Sequence, residues 1–364
     1  MKRIYIIIIT LIILPLFSFH ARAQDTYTAE LFGFFDTGTK GLLEEAGIAF
    51  SDGETVWDIT PARALDTVKN LFTNGLSAYL SEGAVCIILV IVSGLVSAFV
   101  PDNKGLFNMA KSIALMSVMY LSLTFSGEIF TQCCSALLMT KDFMLVLIPI
   151  FTGIVSFSGN PALALSFNSV VFSFAEAVSV AFSDIVPSVG ALVMCICCAG
   201  AVNPFMKLEA FSKIIMKAAS FLMAFVAGIF VAVLSIRGVI SGAADSVTIR
   251  GLRFIIGNSV PVVGSAIGEA LNSIAAGLGL IKNTVGVVGI VGVIAINLPV
   301  LVNVFVWKGI LYVISVTAEL SGSSEIKSFS ADLSGVLSLI AGAVCFTGFV
   351  FIISIAIIIT ISRS

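Results

Sequence analysis

Two short stretches carry ionisable and hydroxyl side chains in the middle of otherwise oily runs. In residues 162–182, ALALSFNSVVFSFAEAVSVAF, a helical path places Ser166, Ser169, Ser173 and Glu176 within an arc of about 80°. In residues 244–258, ADSVTIRGLRFIIGN, the residues Ser246, Arg250, Arg253 and Gly257 form a stripe about 60° wide, with Asp245 beside it. A carboxylate costs several kcal/mol in hydrocarbon unless it meets water or a partner. The Glu176 face therefore packs on another helix or lines a wet lumen or a subunit interface. The arginines allow two readings. They snorkel from an interfacial helix, or they form a positive ring at a pore mouth when several copies assemble. Asp245 could pair with Arg250 or with a neighbouring copy.

Other chemistry is excluded by what the chain lacks. Its one histidine, His20, lies in an N-terminal stretch with the order of a cleavable signal peptide. Lys2 and Arg3 lead it, an apolar run follows to Phe19, and Ala21–Ala23 supplies the small-x-small site. Removal of residues 1–23 leaves no imidazole, hence no histidine base, no Ser-His-Asp system and no histidine-ligated metal. No GxxxxGK[ST] or HExxH motif is present, and Asp245 has no convincing second aspartate for intramembrane proteolysis. The seven cysteines, among them Cys195 and Cys198 at C-x-x-C spacing within an apolar run, read as small apolar residues. The expectation is a protein that is not an enzyme and holds no cofactor or metal.

With 59% hydrophobic residues, 11% charged residues and a mean hydropathy of +1.13, the chain has less than half the roughly 25% charge of soluble domains. It reads as an all-α, polytopic integral membrane protein. A net charge of −2 supplies no basic field for nucleic acid. After the signal, residues 24–82 form a comparatively polar extracytoplasmic segment. Its amphipathic helix starts at Thr60-Pro61 and puts Ala64, Val68, Leu71 and Phe72 on one face.

The polytopic domain occupies 83–364. Apolar runs at about 83–100, 112–127, 143–158, 162–182, 185–203, 218–236, 284–306 and 334–361 approach the ~20 residues of a helical span. Lys104 and Lys111 follow the first run, and Lys207, Lys213 and Lys217 follow the fifth. An outside mature N-terminus puts both clusters in the cytoplasm, as the positive-inside tendency prefers. Residues 238–282 are an amphipathic, re-entrant or crossing element. A crossing by 260–281 gives nine spans and a cytoplasmic C-terminus; a dip and return gives eight and an outer tail. The balance of hydropathy leans slightly toward crossing.

A phrase recurs in this region. NSVPVVG at Asn258–Gly264 returns as NTVGVVG at Asn283–Gly289, an interval of 283 − 258 = 25 positions. The pair reads as two Asn-capped helix starts, each with a seam of small residues. Gly264 and Gly268 make one seam, and Gly286, Gly289 and Gly292 make the other.

These residues also carry a resemblance. The stretch from Ser235 to Ile290 resembles the stage III sporulation protein AE family of endospore-forming bacteria. Thr248-Ile249-Arg250, Arg253-Phe254, Gly257-Asn258, Val260–Gly264 and Lys282–Gly286 carry it. Arg253 stands where that pattern has lysine, and residues 24–82 match only in character. The resemblance implies a subunit of mother-cell machinery at the outer forespore membrane, part of a transport channel or feeding tube. It implies other mother-cell stage III proteins as partners, with a separate motor ATPase, and a forespore partner across the intermembrane space. The chain would act in the bilayer as a homo- or hetero-oligomer. A self-contained secondary permease with Glu176 as its coupling carboxylate is the competing class, and a non-conducting scaffold is a third.

Overall fold

The computed structural model describes residues 23–24, 37–45, 48–51, 54–57, 61–99, 104–157, 185–202, 210–230 and 264–361, with Ala177, Phe182, Leu208 and Ala232. Its elements in chain order are β1 (Ala23–Gln24), α1 (Thr37–Glu45), β2 (Ile48–Ser51), β3 (Glu54–Trp57), α2 (Pro61–Phe99), α3 (Lys104–Phe157), α4 (Val186–Val202), α5 (Ala210–Phe230), α6 (Gly264–Leu320) and α7 (Ser324–Ile361). Five of the described helices are long and apolar enough to cross a membrane: α2, α3, α5, α6 and α7. Helix α4 is a shorter apolar helix.

The membrane domain is helical, as composition requires, and the N-terminal segment adds a small sheet. Strand β3 is central and antiparallel to both neighbours, with Ile48 opposite Trp57 and Ala23 opposite Thr55. Asp52-Gly53, between β2 and β3, is a strong sequence signal for such a hairpin. The all-α expectation overlooked it.

Apolar runs and helices do not correspond one to one. Helix α2 begins at Pro61, where the fixed φ of proline suits a first turn, and continues unbroken to Phe99. The amphipathic stretch and the first span are thus one rod. The runs 112–127 and 143–158 likewise share α3, 54 residues long and about 81 Å if straight. Residues 264–281 and the run 284–306 share α6, 57 residues and about 85 Å. Asn283 therefore caps no helix start, and the recurring phrase does not mark two similar helices. Asn and Gly weaken a helix interior by only ~0.5–1 kcal/mol each, which tertiary packing offsets here.

Helices α6 and α7 form the centre. Of the most apolar stretch of each, 61% is buried, against 6% for α5. They are joined by a tight turn. Gly322 sits at φ 69°, the Ser323 amide donates to the Ala318 carbonyl at 2.9 Å, and the Gly322 amide donates to Glu319 at 3.1 Å. That pair of bonds closes a helix over a left-handed glycine. Lys327 Nζ to Glu319 at 2.6 Å and Lys111 Nζ to Glu325 at 2.7 Å hold the turn and the start of α3 together.

Close approaches of small residues fix the remaining neighbours. A Cβ on Gly75 would stand 3.0 Å from Asn303 Oδ1, and one on Gly94 would stand 2.8 Å from Ser321. Helix α2 therefore runs parallel to α6. A Cβ on Gly190 would meet the Phe130 ring at 2.5 Å, which seats α4 against α3. Buried Gly289 lies under Leu147 of α3 and Ile355 of α7, at 2.7 and 3.0 Å from its virtual Cβ. This register puts the start of α2 and the end of α7 at one end of the bundle. Residues 264–281 continue without a break into the run 284–306 as one helix.

Two outcomes follow. Gly289→Val should destabilise the bundle by about 1–3 kcal/mol, the range for overpacking, whereas Gly228→Ala, in open space, should not. Unfolding of the purified protein in detergent reads the difference. Reporter enzymes inserted before Pro61 and after Ser364 should report the same side of the membrane; opposite sides would break the helix register.

Candidate functional site

The central bundle contains a seam of polar side chains between α3 and α6. Trp307 Nε1 donates to Ser126 Oγ at 2.8 Å. Asn303 Nδ2 donates to Gln132 Oε1 at 3.0 Å, and the Tyr79 hydroxyl of α2 also faces Gln132. Asn297 Nδ2 donates to Thr140 Oγ1 at 3.0 Å and to its own helix at the Val293 carbonyl, 2.7 Å away. Thr140 in turn donates to the Ala136 carbonyl at 2.7 Å. Partners on α3 rise from 126 to 140 while those on α6 fall from 307 to 297, so the two helices run antiparallel.

Each pair has its own setting. The Trp307 ring lies 5.5 Å from Phe125 and 5.8 Å from Tyr79, centroid to centroid, and tilts against both. Its fully buried indole needs an acceptor, and Ser126 supplies one. Asn303 approaches α2 where Gly75 leaves room. Asn297 packs beside Gly348 of α7, 3.5 Å from its virtual Cβ. Small residues let the backbones close, and polar ones then bond across the gap.

A second polar pair lies on the opposite flank. Lys308 Nζ, from α6, donates to Ser338 Oγ of α7 at 2.6 Å, and that hydroxyl donates to the Ser334 carbonyl at 2.8 Å. On the far side of α7, buried Asp332 lies beside Cys197 of α4.

Ser166, Ser169, Ser173, Glu176, Asp245, Ser246, Arg250 and Arg253 lie outside the described residues. Gly264 and Gly268 belong to the first turns of α6. Gly286, Gly289 and Gly292 are buried in that helix, Gly289 against Leu147 and Ile355. Cys86, Cys133 and Cys197 are buried, and all seven cysteines are free thiols. Among the described residues no three His, Cys, Asp or Glu side chains converge as a metal site would require.

Sequence reading passed over Asn297, Asn303, Gln132, Thr140 and Lys308. Asn297 and Asn303 do interrupt an apolar run, and an amide there signals a buried partner. Their partners lie 157 and 171 positions away, however, and no local pattern reveals them. Each of the amide and indole donors Asn297, Asn303 and Trp307 finds an acceptor on α3. The seam works as a joint between helices.

The chain is similar to known sporulation proteins. The family described as "Stage III sporulation protein AE (spore_III_AE)" matches residues 52–362. A protein of Bacillus subtilis (strain 168) named Stage III sporulation protein AE is 25% identical over 278 residues, 75% of this chain and 68% of that one. No solved structure matches the chain.

The joint makes a quantitative prediction. Asn297→Leu and Thr140→Val should each destabilise, and their double-mutant cycle should show a coupling of about 0.5–2 kcal/mol, as for interhelical bonds in membranes. A coupling within error of zero would mean the 3.0 Å contact contributes nothing.

Proposed function

The chain belongs to the stage III sporulation protein AE family, and from that membership we propose a membrane subunit of the channel that links mother cell and forespore after engulfment. It is a multi-pass membrane protein with a role in sporulation. The observation that carries the finer reading is the extent of the family match, which reaches from residue 52 across the helical bundle to residue 362.

In this reading the protein resides in the outer forespore membrane, with its signal peptide removed. Residues 24–60 then meet the intermembrane space and a forespore partner there. The α6–α7 turn faces the mother-cell cytoplasm, together with Lys104, Lys111, Lys207, Lys213 and Lys217. A separate motor ATPase supplies energy, since the chain has no phosphate-binding loop of its own.

The physical division of labour supports it. Polar groups between α3 and α6 satisfy one another, so that interface holds the helices and offers no lining for cargo. The serine–glutamate stripe ending at Glu176 and the stripe of Ser246, Arg250 and Arg253 are the surfaces we assign to a wet path or to neighbouring subunits.

The test pairs a genetic and a biochemical arm. Arg250→Ala with Arg253→Ala should abolish heat-resistant spores after normal engulfment, with the protein still inserted at wild-type abundance. Normal spore counts from that variant would remove the arginine stripe from the mechanism. Purified alone in vesicles, the wild-type protein should move no solute down an ion gradient. Robust uptake of one solute would replace the channel subunit by a permease.

A further inference from the structure

Two charged side chains stand on the flanks of the bundle at nearly one height. The bond from Trp307 to Ser126 fixes both positions. Lys308 follows Trp307 on α6, and Glu128 lies two residues beyond Ser126 on α3. Each is thus within about 3 Å of that bond, measured along its own helix. The Lys327–Glu319 and Lys111–Glu325 pairs at the α6–α7 turn give a reference for depth. About 16 Å of helix separates Lys308 from Glu319, and about 26 Å separates Glu128 from Lys111. With that ionic layer at one border of a ~30 Å hydrocarbon core, both charges lie inside it.

The two charges leave the bundle in different directions. Ile310 faces α2 under Gly83, and Lys308 is about 160° from it around α6. Ser126 faces α6, and Glu128 is about 160° from it around α3. Lys308 therefore points away from α2 and Glu128 points away from α6. Glu128 is exposed and Lys308 is half-buried. Among the described residues the Lys308 ammonium bonds Ser338 at 2.6 Å, and neither charge has an ion pair.

Their surroundings match. Gly127 precedes Glu128 and Gly309 follows Lys308, and nothing lies within 4 Å of either virtual Cβ. Each charge also borders an exposed apolar stripe at helical spacing. Ile113, Met116 and Tyr120 form it on α3, and Phe305, Tyr312 and Val316 form it on α6. A lone charge is costly in hydrocarbon, whereas a lysine facing a carboxylate satisfies both. Open glycines let helices approach closely enough for that contact. The bundle thus carries an acidic flank and a basic flank at similar depth, each with room for a neighbouring helix.

We infer that these flanks are the two halves of a contact between copies of this chain, Glu128 of one protomer against Lys308 of the next. Because the halves are different surfaces, the contact is head-to-tail, and it closes a ring or extends a row. It needs only a bilayer around the helices and does not depend on what the protein conducts.

Subunit counting on single particles tests this, with the full-length protein at low density in phosphatidylcholine vesicles. The wild type should form oligomers, and Glu128→Lys or Lys308→Glu should each weaken self-association about tenfold or more. A mixture of the two variants should regain it, since one is then basic on both flanks and the other acidic on both. Mixing repairs no folding defect, so the rescue separates contact from stability. Gly309→Leu adds a side chain that starts in open space, and it should reduce association while leaving unfolding unchanged. If a reversed charge prevents insertion, Glu128→Gln and Lys308→Gln take its place, and each should still weaken association. Single-copy wild-type protein would overturn the inference, whether or not it captures some other protein. So would wild-type association in the charge variants, or a mixture that fails to associate.

Discussion

An amide or hydroxyl on an apolar helix has no water to bond, so it must find a partner on its own helix or on a neighbour. That constraint sets how α3 and α6 meet. Trp307, Asn303 and Asn297 face Ser126, Gln132 and Thr140 in a reversed order that only one antiparallel register satisfies. A shift of one residue would carry each amide about 100° around its helix and orphan it in the core. Leaving a buried donor unmade costs about 1–3 kcal/mol, more than a made bond contributes. The seam therefore specifies register more strongly than it stabilises.

Small residues act with the seam because polar pairs need closely spaced backbones. Gly75 gives Asn303 its place between α2 and α3, and Gly348 does the same for Asn297 against α7. Buried apolar groups have no solvent-driven reason to associate in lipid, so packing and these bonds carry helix association. The contrast with α5 fits this logic. Its outward phenylalanines face away from the bundle, and its inward Met216 and Met223, flexible thioethers, fill the hollows over Gly335 and Gly342.

Much of the architecture was legible in the sequence because it follows from composition. Length of apolar run and scarcity of charge require membrane helices, and Thr60-Pro61 marked the start of α2 to the residue. Boundaries between spans were harder. The polar stretch from Glu128 to Asp142 reads as a connection, yet it is interior helix in α3. Its polar members either bond across to α6 or lie on an exposed face. Asn283–Gly289 reads as a helix start and is helix interior in α6. The seam itself was hidden, because spacing along one helix says which face a residue occupies and not what lies opposite. The charged stripes drew attention for the opposite reason. Their unpaired cost is visible locally, whereas the partners of Asn297 and Asn303 are far away in the chain.

The length of α6 links these features. At about 85 Å it exceeds the ~30 Å hydrocarbon of a bilayer more than twofold. Such a rod cannot lie wholly in lipid along the membrane normal. Either one end projects or the helix tilts steeply, and a tilt large enough to hide 85 Å would exceed the usual range of 0–40°. Projection is the simpler solution. Helix α6 also carries α1 and β1 of the N-terminal segment packed against it. At the other end, the Gly322 turn with the Lys327–Glu319 and Lys111–Glu325 pairs fixes α6 to α7 and α3. Between those ends α6 is locked by three hydrogen-bonded pairs and by Gly289 under Leu147, so it can shift only together with α3. Coupling between its two ends then runs through one continuous helix, with Pro299 the point at which it can bend.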